Sequence, residues 1–303
     1  LESRVAGLAK VVYHNKLGTQ GERVARVSKL AGEIAVLIGA DNARAERGAM
    51  LAKADLMTLM VGEFPELQGT MGRYYALHDG EAVDVAAACA EHYQPRFAGD
   101  ALPSPGVPTA VALADKLETL AGLFRIKQEP TGDRDPFALR RHALGVIRIL
   151  IEQKLPVKLD ELLDVACGLF PTQPGEDSHV CAWTAGALRG FVDERLRSYC
   201  KDLGYNASEV MSVIDKPISP PQRLDLVPGQ LAAVREFSSL SEAASLNAAN
   251  KRVANILRKA AESGETIAAS DAAKEPAEQA LRGALDAITP AATALFAQGD
   301  FAG

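Results

Sequence analysis

Apolar residues recur along this chain at intervals of three and four, the spacing that places side chains on one face of an α-helix. Leu1–Tyr13 carries the first such pattern, and Asn15-Lys16-Leu17-Gly18 ends it. Thr19 and Glu22 then stand in capping-box register, the hydroxyl reaching the amide three residues on and the carboxylate reaching back. The helix they open presents Val24, Val27, Leu30, Ile34, Leu37 and Ile38 on one side, and Asp41 caps a second that runs through Met50, Leu51, Leu56 and Met60 before Pro65 ends it. Lys53–Val61 reads as buried helix with one internal acid, Asp55; Phe64-Pro65 breaks it, and Glu66 opens a further helix toward Arg73, Tyr74 and Tyr75. Glu81–Tyr93 and Thr109–Ile126 are predicted helices on either side of a proline-rich loop, Ala101–Pro108. Asp135-Pro136 supplies an N-cap and a first-turn proline at the head of Phe137–Lys154.

The pattern changes at Pro171–Asp177, where Pro, Gly and Thr separate long helical stretches, so two domains are expected, residues 1–172 and 173–303. Beyond it, Ser178–Leu203 is a long helix closed by Gly204, and a shorter one lies near Ser208–Ile214. Pro217–Gln222 is a second proline-rich connection before a helical pair, Gly229–Phe237 and Ser241–Ala261. Ser263–Pro276 reads as a weakly anchored linker, followed by two modest helices, Ala277–Ala287 and Thr289–Gln298. The β-branched clusters all sit inside 3.6-residue periods, and no segment reads as a strand. The expectation is an all-α fold.

Composition narrows the picture. The length of 303 residues suffices for two domains with cores of their own, and a formal charge of −6 argues against a protein coated in nucleic acid while leaving room for a local basic patch. Cys89, Cys167, Cys181 and Cys200 are widely spaced with no CxxC pair, which signals neither a zinc site nor a disulfide framework. No apolar run is long enough to span a bilayer, and the expected setting is soluble and cytoplasmic. The chain starts inside helical sequence without methionine, as an excised piece of something longer would.

Three groups of residues are candidates for chemistry. Asp55 and Asp115 each lie in an apolar helical stretch, a costly placement for an unpaired acid. The pattern resembles the helical HD-domain superfamily, in which histidines and aspartates from separate helices gather around divalent metal. Here Ala54 stands where that family has the histidine of its dipeptide, and two carboxylates alone make a poor transition-metal site. The residues favour Asp55 and Asp115 as internal ties that bond backbone amides or the nearby Lys53 and Lys116. His78-Asp79 reads as a turn, and His14, His92, His142 and His179 read as structural, His92 facing inward beside Tyr93. No GxSxG, Walker-type or GxGxxG sequence is present. The second group, Arg140 and Arg141, lies one turn inside the helix that Asp135 caps. The third is KRVANILRK, where Lys251, Arg252, Arg258 and Lys259 have no acid among them and Asn255 offers donor and acceptor between cations. With Val253, Ile256 and Leu257 turned to a core, its other face suits RNA phosphates and base edges.

Five separated segments, ADLMTLMVGEFPELQGTMGRYYAL, EHYQPRFAGDALP, VALADKLETLAGLF, PTGDRDPFALRRHALGVIRILIE and NKRVANILRK, together resemble the beta subunit of the bacterial two-subunit glycyl-tRNA synthetase. The resemblance implies a degenerate HD-like helical domain followed by a helical anticodon-binding domain cut before its last helices. It further implies that Ala54, Asp55 and Asp115 are vestigial HD positions holding no metal, and that this chain itself carries no catalytic residue. Lys251, Arg252, Asn255 and Arg258, with Arg140 and Arg141, are the implied tRNA contacts. Glycine, ATP and magnesium are expected at the class II site of an alpha subunit, in a ligase assembled from two alpha and two beta chains that charges glycine tRNA. A metal-dependent HD phosphohydrolase, or a helical scaffold that docks the alpha subunit, is the alternative.

Overall fold

The computed structural model describes residues 1–170, 176–215, 222–263 and 275–301. Among these residues the chain is all-α apart from one two-stranded hairpin. It forms two compact units, one of residues 1–205 with 214–225 and the other of residues 206–213 with those from 226 onward. The expected domain junction at Pro171–Asp177 and the connections at Pro217–Gln222 and Ser263–Pro276 lie largely outside the described residues.

The first unit opens with α1 (Glu2–Val5) and a 3-10 turn to Lys10. The helical pattern stops there: Val12–His14 is a strand, paired antiparallel with Gly18–Thr19. Gly18, at φ +91°, permits the reversal, and the Arg23 guanidinium lies 4.6 Å over the Tyr13 ring, which anchors the extended segment. Next comes α2 (Gln20–Ile38), which starts on the expected Thr19–Glu22 capping box, and then α3 (Asn42–Leu51), capped by the Asp41 carboxylate on the Arg44 amide.

The helix expected to run on from Asp41 through Lys53–Val61 is interrupted: α3 ends at Leu51, and a 3-10 turn at Ala54–Met57 and α4 (Leu59–Glu63) follow as separate pieces. Thr58 causes the break. Its hydroxyl donates to the Asp55 carbonyl at 2.7 Å and accepts the Val61 amide at 3.4 Å, which ends one turn and caps the next while Leu59 and Met60 face solvent. Pro65 begins only a short 3-10 turn, so the following helix, α5 (Thr70–His78), starts at Gly69 and not at Glu66. Then follow α6 (Val83–Glu91) and α7 (Val107–Arg125), whose first turn takes in Val107 and Pro108, residues expected in the loop.

α7 is the axis of the first unit. Every residue from Val107 to Arg125 is buried, and the helix packs against α2, α3 and α6, and against α8 (Leu139–Glu152), α9 (Leu159–Gly168) and α10 (Val180–Asp202). A helix covered on all sides must be apolar all round or must pair its polar groups internally. α7 does both. α8 begins later than its sequence suggests: Asp135 does cap it, accepting the Leu139 and Arg140 amides at 2.8 and 3.0 Å, but Pro136 and Phe137 precede the helix and Ala138 sits left-handed at φ +55°. The cap therefore acts from one turn upstream.

The second unit contains α11 (Ala207–Ile214), α12 (Val227–Ser239), α13 (Ala243–Glu262) and α14 (Pro276–Ala297). Both Glu209 oxygens accept from Arg235 at 2.8 Å. The two terminal helices expected from Ala277 to Gln298 are one, with Pro290 inside it. Proline removes a single backbone bond, and the alanine-rich flanks keep helical geometry across the gap.

Replacing Asp135 with alanine removes both amide bonds at the head of α8. Denaturant unfolding should record a loss of about 0.5–2 kcal/mol, while Asp133→Ala in the same loop should change stability little.

Candidate functional site

The acids singled out in the sequence have different partners. Asp55, on the 3-10 turn before α4, directs Oδ2 at the amides of Gly69 and Gly72, at 2.6 and 3.1 Å. These are the N-cap and third helical positions of α5, whose own cap is a glycine without a side chain. Asp55 thus caps a helix in trans, and the corner EFPELQGTMG is built to receive it: Gly69 adopts φ +81°, and a Cβ on Gly72 would meet the carboxylate at 3.2 Å. Burial raises the Asp55 pKa, and the two amides oppose that rise.

Asp115, at the middle of α7, carries two cations on one oxygen: Arg23 Nη2 at 3.0 Å and Lys53 Nζ at 3.3 Å. The same Arg23 guanidinium donates through Nε to Glu118 at 2.9 Å and through Nη2 to the Thr119 hydroxyl at 2.7 Å, and Arg26 closes on the other Glu118 oxygen. Burial works against the Asp115 charge, but Arg23 and Lys53 together hold its carboxyl well below the ordinary range. Burial also lowers Lys53 to about 8, with Asp115 opposing that fall. Lys116 does not bind either aspartate; its ammonium donates to the carbonyls of His92 and Tyr93, both at 3.3 Å.

A metal does not fit this arrangement. The Asp115 oxygen that would face a cation is already taken by a guanidinium and an ammonium, and Asp55 is turned to backbone amides. Among the described residues no group of three or more His, Cys, Asp or Glu is placed to hold an ion. His92 is fully buried against Tyr93, ring centroids 3.8 Å apart, with Nδ1 at 3.1 Å from the Ala88 carbonyl. His78 lies exposed at the end of α5 and His179 at the start of α10, while His14, half-buried in the hairpin, accepts the Lys16 amide at 3.1 Å.

The two arginines of α8 part company. Arg140 folds back to the Gly132 carbonyl at 2.5 Å, whereas Arg141 is exposed and lines a cleft of about 460 Å³ together with Tyr93, Lys116 and His142. On α13, Lys251, Arg252, Asn255 and Arg258 are all exposed; the first three border an open hollow of about 550 Å³, and Arg258 pairs with Glu262 at 2.7 Å. Val253, Ile256 and Leu257 do not turn to a core as the sequence suggests. Their exposures are 53%, 56% and 49%, because the contact of α13 with the rest of its unit buries only Ala243 and Ala260.

The family described as glycyl-tRNA synthetase beta subunit matches residues 1–215, the region that contains the Arg23–Asp115 cluster and the Asp55 corner. This chain belongs to that family. The glycine–tRNA ligase beta subunits of Thiobacillus denitrificans and Dechloromonas aromatica are each 55% identical to it, over 305 and 303 residues, and that of a Janthinobacterium species is 56% identical over 303. Each match covers 99% of this chain but only 41–42% of the relative, so the chain spans about two-fifths of the length of these proteins. No helix among the described residues is long and apolar enough to cross a membrane.

Sequence reasoning found the two acids but missed Arg23 and Glu118. The available signal was charge on the inner face of an amphipathic helix: Arg23 shares its face with Val27 and Leu30, and Glu118 lies between Leu117 and Leu120.

The buried His92 and the half-buried His142 give the unit an acid limit. Burial lowers His142 to about 4 and His92 well below its ordinary value of 6.5. Between these values and 6.5 the unfolded chain binds protons that the native chain refuses, so stability falls as pH drops from 6.5 toward 4. His142→Gln should flatten that slope in pH-dependent denaturant unfolding; an unchanged slope would place the titration elsewhere.

Proposed function

We propose that this chain is the tRNA-recognition and assembly portion of a glycine–tRNA ligase beta subunit, supporting ATP-dependent glycylation of glycine tRNA at the class II site of an alpha subunit. The observation that carries the reading is the face of α13, where Lys251, Arg252, Asn255 and Arg258 stand in solvent within a chain of net charge −6 that belongs to the glycyl-tRNA synthetase beta family. Cations placed there attract phosphates whatever the base, and an amide between them can read a base edge in an unstacked loop. In this reading residues 1–172 form a degenerate HD-like domain in which Ala54, Asp55 and Asp115 are vestigial, and residues 173–303 belong to the anticodon-binding domain. ATP and magnesium act at the alpha subunit, in a cytoplasmic assembly of two alpha and two beta chains.

A docking role for the alpha subunit is compatible with this reading and has its own support. Leu246, Val253, Ile256 and Leu257 on α13 leave apolar surface uncovered, as does α14 at Leu281, Leu285 and Ile288. The phosphohydrolase alternative loses support because the carboxylate it needs at Asp115 is occupied by Arg23 and Lys53.

The test is binding of glycine tRNA and an anticodon-substituted tRNA to the intact beta subunit with alpha present. Lys251→Ala should weaken both tRNAs alike and reduce the salt slope by at most about one unit, whereas Asn255→Ala should cost roughly 1–3 kcal/mol for the cognate tRNA and less for the other. Unchanged affinities at unchanged thermal stability would make this helix only a solvated face. Arg140→Ala with Arg141→Ala tests the α8 contact by the same assay and by subunit assembly. The 303-residue chain alone should neither charge tRNA nor hydrolyse nucleotides with manganese.

A further inference from the structure

The cleft beside α8 contains a buried lysine with no direct ion pair among the described residues, though Asp115 and Asp100 favour its charge from farther away. Lys116 is only 2% exposed, and lysine is almost never buried to that degree unless paired. Its ammonium has three hydrogens to donate, and the described structure gives it two acceptors, the uncharged carbonyls of His92 and Tyr93. No carboxylate among the described residues lies in ion-pair distance of it. The neighbouring acid along the chain, Asp115, is already committed to Arg23 and Lys53.

The chain accommodates this lysine deliberately in its packing. A Cβ on Gly145 of α8 would fall 2.6 Å from Lys116 Cε and 2.9 Å from its Cδ, so the glycine is the space through which the side chain passes toward the cleft. One helical turn earlier on α8, Arg141 lines the same cleft with no ion pair among the described residues, and Arg96 stands at the rim, paired with Asp100 at 3.3 Å. Gln68 and the Tyr93 side chain add polar lining, and the exposed Glu66 is the one carboxylate among the lining residues. The cleft, at about 460 Å³, lies within the roughly 300–1,000 Å³ of small-ligand sites.

From this geometry we infer that the cleft binds a phosphate group, with the Lys116 ammonium at its floor and the Arg141 guanidinium closing on it from α8. A phosphate offers several acceptor oxygens to one compact and one forked cation, and it supplies a direct countercharge to a lysine that burial has stripped of water. His142, half-buried and lowered to about 4 by burial, lines the cleft without adding charge near neutral pH. The inference does not rest on the tRNA contact proposed for α13 and shares with that reading only Arg141. The group could arrive on a free mononucleotide or on the end of an RNA strand; the chemistry is the same.

The intact chain is titrated with inorganic phosphate at fixed ionic strength against chloride, followed by calorimetry and by the rise in thermal midpoint that ligand binding to the native state produces. Saturable binding is expected, weakened about tenfold or more in Lys116→Met and severalfold in Arg141→Gln. Lys116→Met removes a buried charge and should be at least as stable as the parent. Gly145→Ala keeps every charge but displaces the lysine stem, and it should weaken phosphate as Lys116→Met does. Two further arms find the source: adenosine monophosphate binding more tightly than phosphate points to a free nucleotide, and a 5′-phosphorylated oligoribonucleotide outbinding its 5′-hydroxyl form points to an RNA end. Absence of saturable phosphate binding, or equal binding by the parent, Lys116→Met and Gly145→Ala, overturns the inference.

Discussion

The first unit depends on one guanidinium. Arg23, 7% exposed on α2, reaches Asp115, Glu118 and Thr119 on α7, so a single side chain satisfies three polar groups of the helix around which the other helices pack. Without it, α7 could not be buried on every side, because each of its acids would face a medium that solvates charge poorly. Lys53 and Arg26 complete the neutralisation from either side. Burying a charge pair is weak evidence for net stability, but removing one partner from such a pair is costly, and that asymmetry holds α2, α7 and the segment after α3 in one register. Asp55 extends the same logic to the backbone by capping α5 from a distance.

Where the cations lie also separates internal ties from exposed surface. Arg23, Lys53 and Arg26 are spent on internal acids and offer nothing to a ligand. Those of α13 are exposed on a helix whose apolar side is uncovered too, and Lys116 is buried but faces a cleft. The internal cations and the exposed ones thus occupy different environments within a chain of formal charge −6.

Much of this architecture is legible in the residues. The Thr19–Glu22 box, the Asp41 cap, the stop at Gly204 and the all-α class follow from local chemistry that tertiary packing leaves intact. The differences arise where a side chain or a missing partner overrides the local period. Thr58 breaks an otherwise periodic apolar stretch because its hydroxyl competes for backbone groups, and Asp135 caps α8 across three non-helical residues. At Val12–His14 the helical period gives way to a hairpin, in which the Arg23 guanidinium lies over the Tyr13 ring. The two acids stood out as misplaced charges, whereas their partners looked like ordinary residues of amphipathic helices. On α13 the period is correct but the core it implies is absent from the described unit.

The central claim, that Arg23 and Asp115 form a fixed internal pair in the place where a metal-binding reading would put an ion, is tested most directly by a double-mutant cycle. Arg23→Met, Asp115→Leu and the double variant are compared with the parent in denaturant unfolding, with manganese present and absent. The account predicts that each single change is strongly destabilising, that the double variant is more stable than the sum implies by about 1–3 kcal/mol, and that manganese changes none of the four values. Additive losses, or a parent stabilised by manganese through Asp115, would contradict it.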